Sequence, residues 1–274
     1  YIPFRVPAEH LEDFLQDCPA LGIKGLSVTI PHKESILAAI TDGRVKTWPV
    51  TLPEGSRAVV IAARLEAAGL ARSAEFIAAA NDSALAEELG VPAKGLEGYL
   101  YPDTYRFPRG LSAQQIARVM VKQFDRVCYE QVSGLAAASA LSKNEIVILA
   151  SIVEKETAAP EERPLIASVF LNRLERGMRL ETDPTVIYGI PQFDGNLRRK
   201  HLEDASNPYN TYRISGLPPG PIANPGSEAL RAIVEPESAD FLYFVSRNDG
   251  THHFSETYRE HVNAVNRYQK RRRR

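Results

Sequence analysis

The sequence predicts an α+β protein, and two observations indicate this class. Residues 142–176 carry two consecutive segments in which apolar side chains recur at helical spacing. Near the end of the chain, Phe241 to Arg247 and Thr251 to Ser255 flank Asn248-Asp249-Gly250, a pattern typical of a β-hairpin. Of all 274 residues, 44% are hydrophobic and 24% are charged, as is usual for a globular protein.

Turn-rich stretches divide the chain into three predicted zones: residues 1–44, 45–107 and 108–274. In the first zone, residues 11–15 have helical spacing and Gly25 to Ile30 form a β-branched run. In the second zone, Gly69 is expected to end one helix and Ser73 to cap the next. The predicted strand and the two helices that follow it cover Trp48–Leu52, Val59–Ala68 and Ala74–Ala80.

The third zone begins with helices and continues with strands and turns. Ser142 and Glu145 have the spacing of a capping box, which predicts a helix that starts there and stops before Pro160. A second helix is expected from about Glu161 to Arg176, with Gly177 closing it. The last predicted helix follows the hairpin and runs from about Glu256 to Gln269.

Charge and cysteine content exclude several classes of function. The formal net charge is -1, so the overall charge of the chain does not indicate a nucleic-acid or membrane partner. Two distant cysteines, Cys18 and Cys128, indicate neither a disulfide framework nor a zinc site. The basic tail from Lys270 to Arg274 is interpreted as a solvated terminus, with attraction to an anionic surface as the alternative. No apolar run has the length of a membrane span, and the start at Tyr1 is expected of a fragment.

Glu154 is the residue most strongly indicated as chemically active. It lies near the end of a predicted helix that is apolar on nearly all sides from Ile146 to Val153, so its carboxyl group continues a buried stripe. Burial and the helix C-terminus both favour the protonated carboxyl, which is the form that protonates a glycosidic oxygen. The structural alternative is a buried ion pair of Glu154 with one of three cations: Lys155, Arg163 or Arg173. Glu156 is a weaker candidate for the same role.

A series of motifs then points to one family. In chain order these segments are Glu97 to Tyr105, Ala150 to Thr157, Val169 to Leu174, Thr182 to Val186, Tyr209 to Tyr212, Gly216 to Ile222, Tyr243 to Val245 and His252 to Ser255. Together they resemble the endolytic murein transglycosylases of the YceG family over residues 50–268. The resemblance implies a small LysM-like subdomain at 45–107, and a mixed helix and β-hairpin catalytic domain at 108–274.

The resemblance also implies an activity. Glu154 takes the catalytic position of a lyase, which cleaves the bond between N-acetylmuramic acid and N-acetylglucosamine in peptidoglycan to leave 1,6-anhydro ends. No second carboxylate is singled out in the sequence, and this one-acid reaction needs neither metal nor cofactor. Peptidoglycan strands are the expected substrate and wall-synthesis proteins are further expected partners, with no nucleic acid involved. The family works at the extracytoplasmic face of the bacterial inner membrane, although its membrane anchor is missing from this sequence.

Four further residues are predicted to orient the sugars. They are Asn210 and Tyr212 in a Pro-flanked loop, followed by Asp183 and Thr185. Asn210 and Asp183 have alternative interpretations as turn or helix-cap residues. Neighbouring His252 and His253 on one strand should face opposite ways, which is unfavourable for sharing a metal ion. In addition, Glu181 stands where the family is expected to have Gln.

The first zone has a different resemblance. Tyr1 to Val6 and Leu21 to Glu34 resemble the substrate-binding half of shikimate dehydrogenases, with Lys33 at that family's catalytic lysine and Ser27 where Asn is common. No G-x-G-x-x-G turn follows a strand, so no dinucleotide site is predicted. The alternatives to a transglycosylase are therefore a non-catalytic peptidoglycan-binding module and a remnant of shikimate dehydrogenase.

Overall fold

The computed structural model describes residues 46–131, 140–157 and 159–270. The predictions for residues 11–15, for Gly25 to Ile30 and for Lys33 lie outside these ranges. Within them the strands are β1 (Trp48–Thr51), β2 (Thr104–Phe107), β3 (Tyr243–Ser246) and β4 (His252–Ser255). The helices are α1 (Ala58–Ala67), α2 (Ser73–Ala80), α3 (Ser83–Glu88), α4 (Ala113–Gln131), α5 (Lys143–Glu156), α6 (Arg163–Glu175), α7 (Asp183–Tyr188), α8 (Arg199–Leu202), α9 (Ser227–Val234) and α10 (Tyr258–Val265).

The strands form two small antiparallel sheets. In the first sheet β1 pairs with β2, and Trp48 lies opposite Phe107. Helices α1, α2 and α3 lie between these two strands in the sequence. In the second sheet β3 pairs with β4, which confirms the predicted hairpin. Its turn places Asn248 and Gly250 at φ values of 64° and 93°, a backbone region that asparagine and glycine tolerate.

Helix α5 begins where its capping box predicts. The Glu145 N–H donates to Ser142 Oγ at 3.4 Å, and the Ser142 N–H donates to Glu145 Oε2 at 2.8 Å. Every residue from Ile146 to Val153 is buried, because α5 packs against α6, α7 and α9. The prediction of a helix buried on nearly all sides is therefore confirmed.

Three predicted helix ends differ from the structure. Ser73 is not an N-cap: the helix begins at Ser73 itself, and the Glu66 carboxylate accepts its N–H at 3.0 Å. Helix α6 begins at Arg163 because Pro160–Glu162 form a short 3₁₀ turn, whereas Gly177 closes it as predicted with φ 66°. The last helix starts at Tyr258 and continues after Val265 as a π-helical turn, Asn266–Lys270.

One apolar core runs through the described residues. It includes Leu65 and Phe76 from the second zone together with Met120, Leu149 and Leu230 from the third. The core is continuous across residue 107, so the domain boundary placed there stays a prediction from the sequence. No helix among the described residues is long and apolar enough to cross a membrane.

Candidate functional site

The carboxyl group of Glu154 lies in the last turn of α5 and is 6% exposed. Its Oε1 accepts a hydrogen bond from Arg163 Nη2 at 3.0 Å, and its Oε2 accepts from the Gly226 N–H at 3.1 Å. The ion pair with Arg163 that the sequence offered as an alternative is thus present. Two donors hold the carboxyl group in place, and both of them complement its ionised form.

Arg163 is the first residue of α6 and is 9% exposed. Its Nε is buried and has no hydrogen-bond acceptor among the residues that the structure describes. The other two cations considered for Glu154 face elsewhere. Arg173 donates to the carbonyls of Leu242, Arg179 and Leu180, and Lys155 Nζ lies 3.4 Å from the Gly55 carbonyl.

A second carboxyl group, that of Glu54, belongs to the same cluster. Its Oε2 lies 3.6 Å from Arg163 Nη2, and its side chain is 45% exposed. A Cβ atom at Gly226 would overlap this carboxyl group, so the two residues are in close contact. Burial raises the pKa of Glu54, and the neighbouring charge of Glu154 raises it further. Glu54 was not among the candidate residues that the sequence indicated.

Asn224 holds the segment that carries Gly226. Its Oδ1 accepts the N–H groups of Gly98 and Leu100 at 2.8 and 2.9 Å. Its Nδ2 donates to the Ser56 carbonyl at 2.9 Å and to Glu97 Oε1 at 2.8 Å. This fully buried amide joins the turn after β1 to the segment before α9. It thereby supports Glu54, which lies in that turn, and Gly226, which contacts both Glu154 and Glu54.

Glu97 has a partly buried carboxyl group and lies next to Asn224. Both of its oxygens accept the N–H of Ala58 in the first turn of α1, at 3.0 and 3.1 Å. Burial raises the pKa of Glu97 to about 7, and the Ala58 N–H, the charge of Arg57 and the Asn224 amide act in the opposite direction.

The predicted sugar-orienting residues form a separate cluster. The Tyr212 hydroxyl donates to Asp183 Oδ1 at 2.8 Å, so this pair is brought together near the surface. Thr185 is fully buried and donates to the Thr182 carbonyl at 2.7 Å. Asn210 is also fully buried, and its Nδ2 donates hydrogen bonds to the backbone carbonyls of His201, Leu202 and Asp204. Asp183 and Tyr212 are therefore accessible to a ligand, whereas Thr185 and Asn210 organise their loops.

Glu156 belongs to this second cluster. Thr182 Oγ1 donates a hydrogen bond to Glu156 Oε1. Burial raises the pKa of Glu156 to about 7, the Thr182 hydroxyl lowers it, and the charge of Asp183 raises it. Nearby Glu181 has φ 51° and lies 3.4 Å from Arg173 Nη1, so the residue noted as a departure from the family pairs with an arginine.

The two histidines of β4 have separate partners. His252 Nδ1 lies 2.6 Å from Glu162 Oε2, and the His252 N–H donates to Glu162 Oε1 at 2.7 Å. The ring of His253 instead lies 5.7 Å from the ring of Tyr268. Among the residues that the structure describes, no group of three or more His, Cys, Asp or Glu could hold a metal ion.

Comparison with known proteins places this arrangement in a family. The model of the YceG-like family matches residues 30–267. The chain belongs to the YceG-like family. A solved YceG-like protein from Listeria monocytogenes superposes with a TM-score of 0.72 at 35% identity, over 84% of this chain and 80% of that one. The mixed architecture of helices and small sheets is thus that of a YceG-like protein.

Two relatives of this YceG-like chain carry a functional name. The endolytic murein transglycosylase of Bacillus subtilis is 38% identical over 174 residues, which are 63% of this chain and 48% of that protein. The endolytic murein transglycosylase of Streptococcus pneumoniae is 32% identical over 199 residues, 69% of this chain and 36% of that protein. The chain therefore spans about half or less of the length of these relatives.

The first zone of the YceG-like chain matches a second family. Residues 1–46 match the substrate-binding domain of shikimate dehydrogenase. Over 42 residues the chain is 48% identical to the shikimate dehydrogenase (NADP(+)) of Methanothermobacter thermautotrophicus, which is 15% of each protein. Both resemblances drawn from the sequence are confirmed, and the two family matches overlap at residues 30–46.

Proposed function

We propose that this YceG-like chain is an endolytic lytic transglycosylase that uses Glu154 as its acid and base. The observation that carries the proposal is the buried carboxyl group of Glu154, fixed where α5, α6 and the segment before α9 meet. The names of the two relatives support this activity. The substrate is a peptidoglycan glycan strand, cut between N-acetylmuramic acid and N-acetylglucosamine.

The reaction needs a proton donor and then a proton acceptor at one position. Protonated Glu154 gives its proton to the glycosidic oxygen as the bond from C1 to that oxygen breaks. The ionised carboxylate then takes the proton of the muramyl C6 hydroxyl while O6 bonds to C1. The product is a 1,6-anhydro end, and no water is consumed. Arg163 and the Gly226 N–H stabilise the ionised form of Glu154 that exists between the two proton transfers.

The remaining parts of the chain take supporting roles. Asp183 and Tyr212 contact the sugars directly, whereas Thr185 and Asn210 shape the loops around them. Residues 45–107, in which β1 and β2 enclose three helices, form the LysM-like glycan-binding subdomain. The enzyme acts at the extracytoplasmic face of the bacterial inner membrane, with wall-synthesis proteins as partners.

The ion pair between Glu154 and Arg163 favours a second candidate function. A carboxylate neutralised by an arginine has no proton to donate, and buried ion pairs of this kind also occur in proteins without catalytic activity. The second candidate is therefore a non-catalytic module that binds peptidoglycan strands. It shares the substrate with the first candidate and differs in turnover.

Digestion of uncrosslinked glycan strands separates the two candidates. We expect the wild type to make internal cuts with 1,6-anhydro ends, read by mass spectrometry. We expect Glu154→Gln to lose roughly 100- to 10,000-fold in rate, since an amide cannot supply the proton. Glu161→Gln is the matched control, because Glu161 is an exposed glutamate of the turn before α6 and should retain activity. Strand binding without cutting would favour the binding module, and reducing ends formed with water would indicate a hydrolase.

A further inference from the structure

Three charged side chains from three parts of the chain meet at Glu154. Glu154 lies in the last turn of α5, Arg163 begins α6, and Glu54 lies in the turn after β1, 100 residues before Glu154. One nitrogen, Arg163 Nη2, lies 3.0 Å from Glu154 Oε1 and 3.6 Å from Glu54 Oε2. A single guanidinium group therefore faces two carboxyl groups.

We propose that Glu54 is a positioning residue that sets the charge state of Glu154 by competing with it for Arg163. The inference rests on the proposed function, since it concerns the proton that Glu154 would donate. When Glu154 is protonated, Arg163 pairs with the ionised Glu54. When Glu154 has given up its proton, Arg163 pairs with Glu154, as the structure describes.

The charge balance of the cluster supports this exchange. Two ionised carboxylates and one guanidinium carry a net charge of -1 in a partly desolvated place, whereas one added proton makes the cluster neutral. Burial and the charge of Glu154 both raise the pKa of Glu54, as expected for two acids that share one counter-ion. Arg163 Nε has no acceptor within the described part of the chain, so the guanidinium group keeps a donor for a changed arrangement.

Gly226 provides an independent observation. Its N–H donates to Glu154 Oε2, and the space of its missing Cβ atom is filled by the Glu54 carboxyl group. Its backbone has φ -78° and ψ 174°, which any residue can adopt, so conformation does not require glycine here. What glycine provides is room for the second carboxyl group.

Other ionisable groups also lie near Glu54. Among the described residues these are Lys155 of α5, which lies beside Gly55, Glu228 of α9, and Tyr101 before β2. Lys155 Nζ is directed at the Gly55 carbonyl and Glu228 is exposed to solvent. Lys155 and Glu228 do not share Arg163 with Glu54, so removal of Glu54 acts on Glu154 through Arg163 and through the loss of the direct repulsion between the two carboxylates.

The experiment compares pH profiles of kcat/KM for the full chain on uncrosslinked glycan strands. In Glu54→Gln, Arg163 belongs to Glu154 alone and favours its ionised form, so the proton is lost at lower pH. We expect the alkaline limb of the profile to move to lower pH and the rate beyond it to fall roughly three- to tenfold. KM should stay the same, since Glu54 acts on the proton rather than on the sugar.

Two variants serve as comparison and control. Gly226→Ala keeps both carboxyl groups but displaces that of Glu54, so it should shift the profile in the same direction. Glu87→Gln removes an exposed glutamate of α3 and should leave the profile unchanged. Thermal unfolding of each variant shows whether the fold is retained. If Glu54→Gln lowers the rate equally at every pH, or leaves the profile unchanged, Glu54 has no such role and the proposal is wrong.

A titration without substrate separates this proposal from the proposed function. Carbon-13 NMR of the glutamate carboxyl groups follows the ionisation of Glu154 in the wild type and in Glu54→Gln. A lower midpoint in the variant supports the control of the Glu154 charge state by Glu54 even if the wild type cuts no glycan. An unchanged midpoint overturns it even if the wild type is an active transglycosylase.

Discussion

Two glutamates outside the cluster of Glu54, Arg163 and Glu154 have partly buried carboxyl groups whose raised pKa favours the protonated form. Glu97 lies between the first turn of α1 and Asn224, and Glu156 lies against Thr182. Burial raises the pKa of each to about 7, compared with 4.5 for a glutamate in an unfolded chain. Between these pH values the folded protein binds more protons than the unfolded chain. The stability that these protons provide is therefore lost as pH rises from about 4.5 to 7.

We accordingly predict that the free energy of unfolding depends less on pH in the double variant Glu97→Gln and Glu156→Gln than in the wild type. Each glutamate costs the wild type up to about 3 kcal/mol on ionisation between pH 4.5 and 7, at 1.36 kcal/mol per pKa unit. Urea unfolding at pH 5 and pH 8 measures the difference. Glu256→Gln, at an exposed position, should keep the pH dependence of the wild type. If the free energy of unfolding changes by the same amount between pH 5 and pH 8 in the double variant and in the wild type, Glu97 and Glu156 do not have raised pKa values.

At this scale the sequence predicted some contacts and missed others for a physical reason. The burial of Glu154 and its pairing with Arg163 follow from neighbours within ten positions, where helix geometry limits what can meet. The contact of Glu54 with the same arginine joins residues more than 100 positions apart and depends on where the turn after β1 lies relative to the start of α6. Asn224 was missed likewise, since four hydrogen bonds to distant segments leave no local pattern.

Among the elements, helix starts were predicted best where a capping motif marks them. Helix α5 begins after Ser142 as expected, and the hairpin of β3 and β4 surrounds the predicted turn. Strand β2 was not predicted, because its four residues are too few to show an alternation of apolar and polar side chains. Its register is set by pairing with β1, which is distant in the sequence. The start of α6 differs by two residues because of the 3₁₀ turn before it.

For the element that carries Glu154, we predict that Ser142→Ala destabilises the protein by about 1 kcal/mol through loss of the N-cap. Ser142 is exposed, so the substitution leaves no cavity in the core. Urea unfolding at pH 7 measures the change in free energy. Ser83→Ala is the matched control, since Ser83 is an exposed serine after the N-cap Asp82 of α3 and makes no capping bond. A loss no larger than in Ser83→Ala would show that the capping box adds nothing to the stability of α5.

At the scale of the whole molecule, the described core joins the predicted subdomains. Side chains of α1, α2 and α4 share one apolar cluster with those of α5, α6 and α9. The cluster of Glu54, Arg163 and Glu154 spans the same boundary, because Glu54 belongs to the second zone and the other two to the third. The sequence separated the zones by turn-rich stretches, which mark where the chain bends and carry no information on which faces pack together. Assembly of the proposed site thus requires both zones to fold against each other.

Because the core is continuous, a destabilising substitution in α5 should also lower the stability of β1. Leu149→Ala removes a fully buried side chain of α5 and should cost roughly 2 to 5 kcal/mol. Trp48 of β1 is the sole tryptophan of the chain, so its fluorescence reports on the second zone. We expect the urea midpoint read by Trp48 to fall as far as the midpoint read by far-ultraviolet circular dichroism. Val119→Ala, at an exposed position of α4, should change neither midpoint much. A Trp48 midpoint that stays at its wild-type value in Leu149→Ala would mean that residues 45–107 unfold independently, and that Glu54 reaches Arg163 from a separate unit.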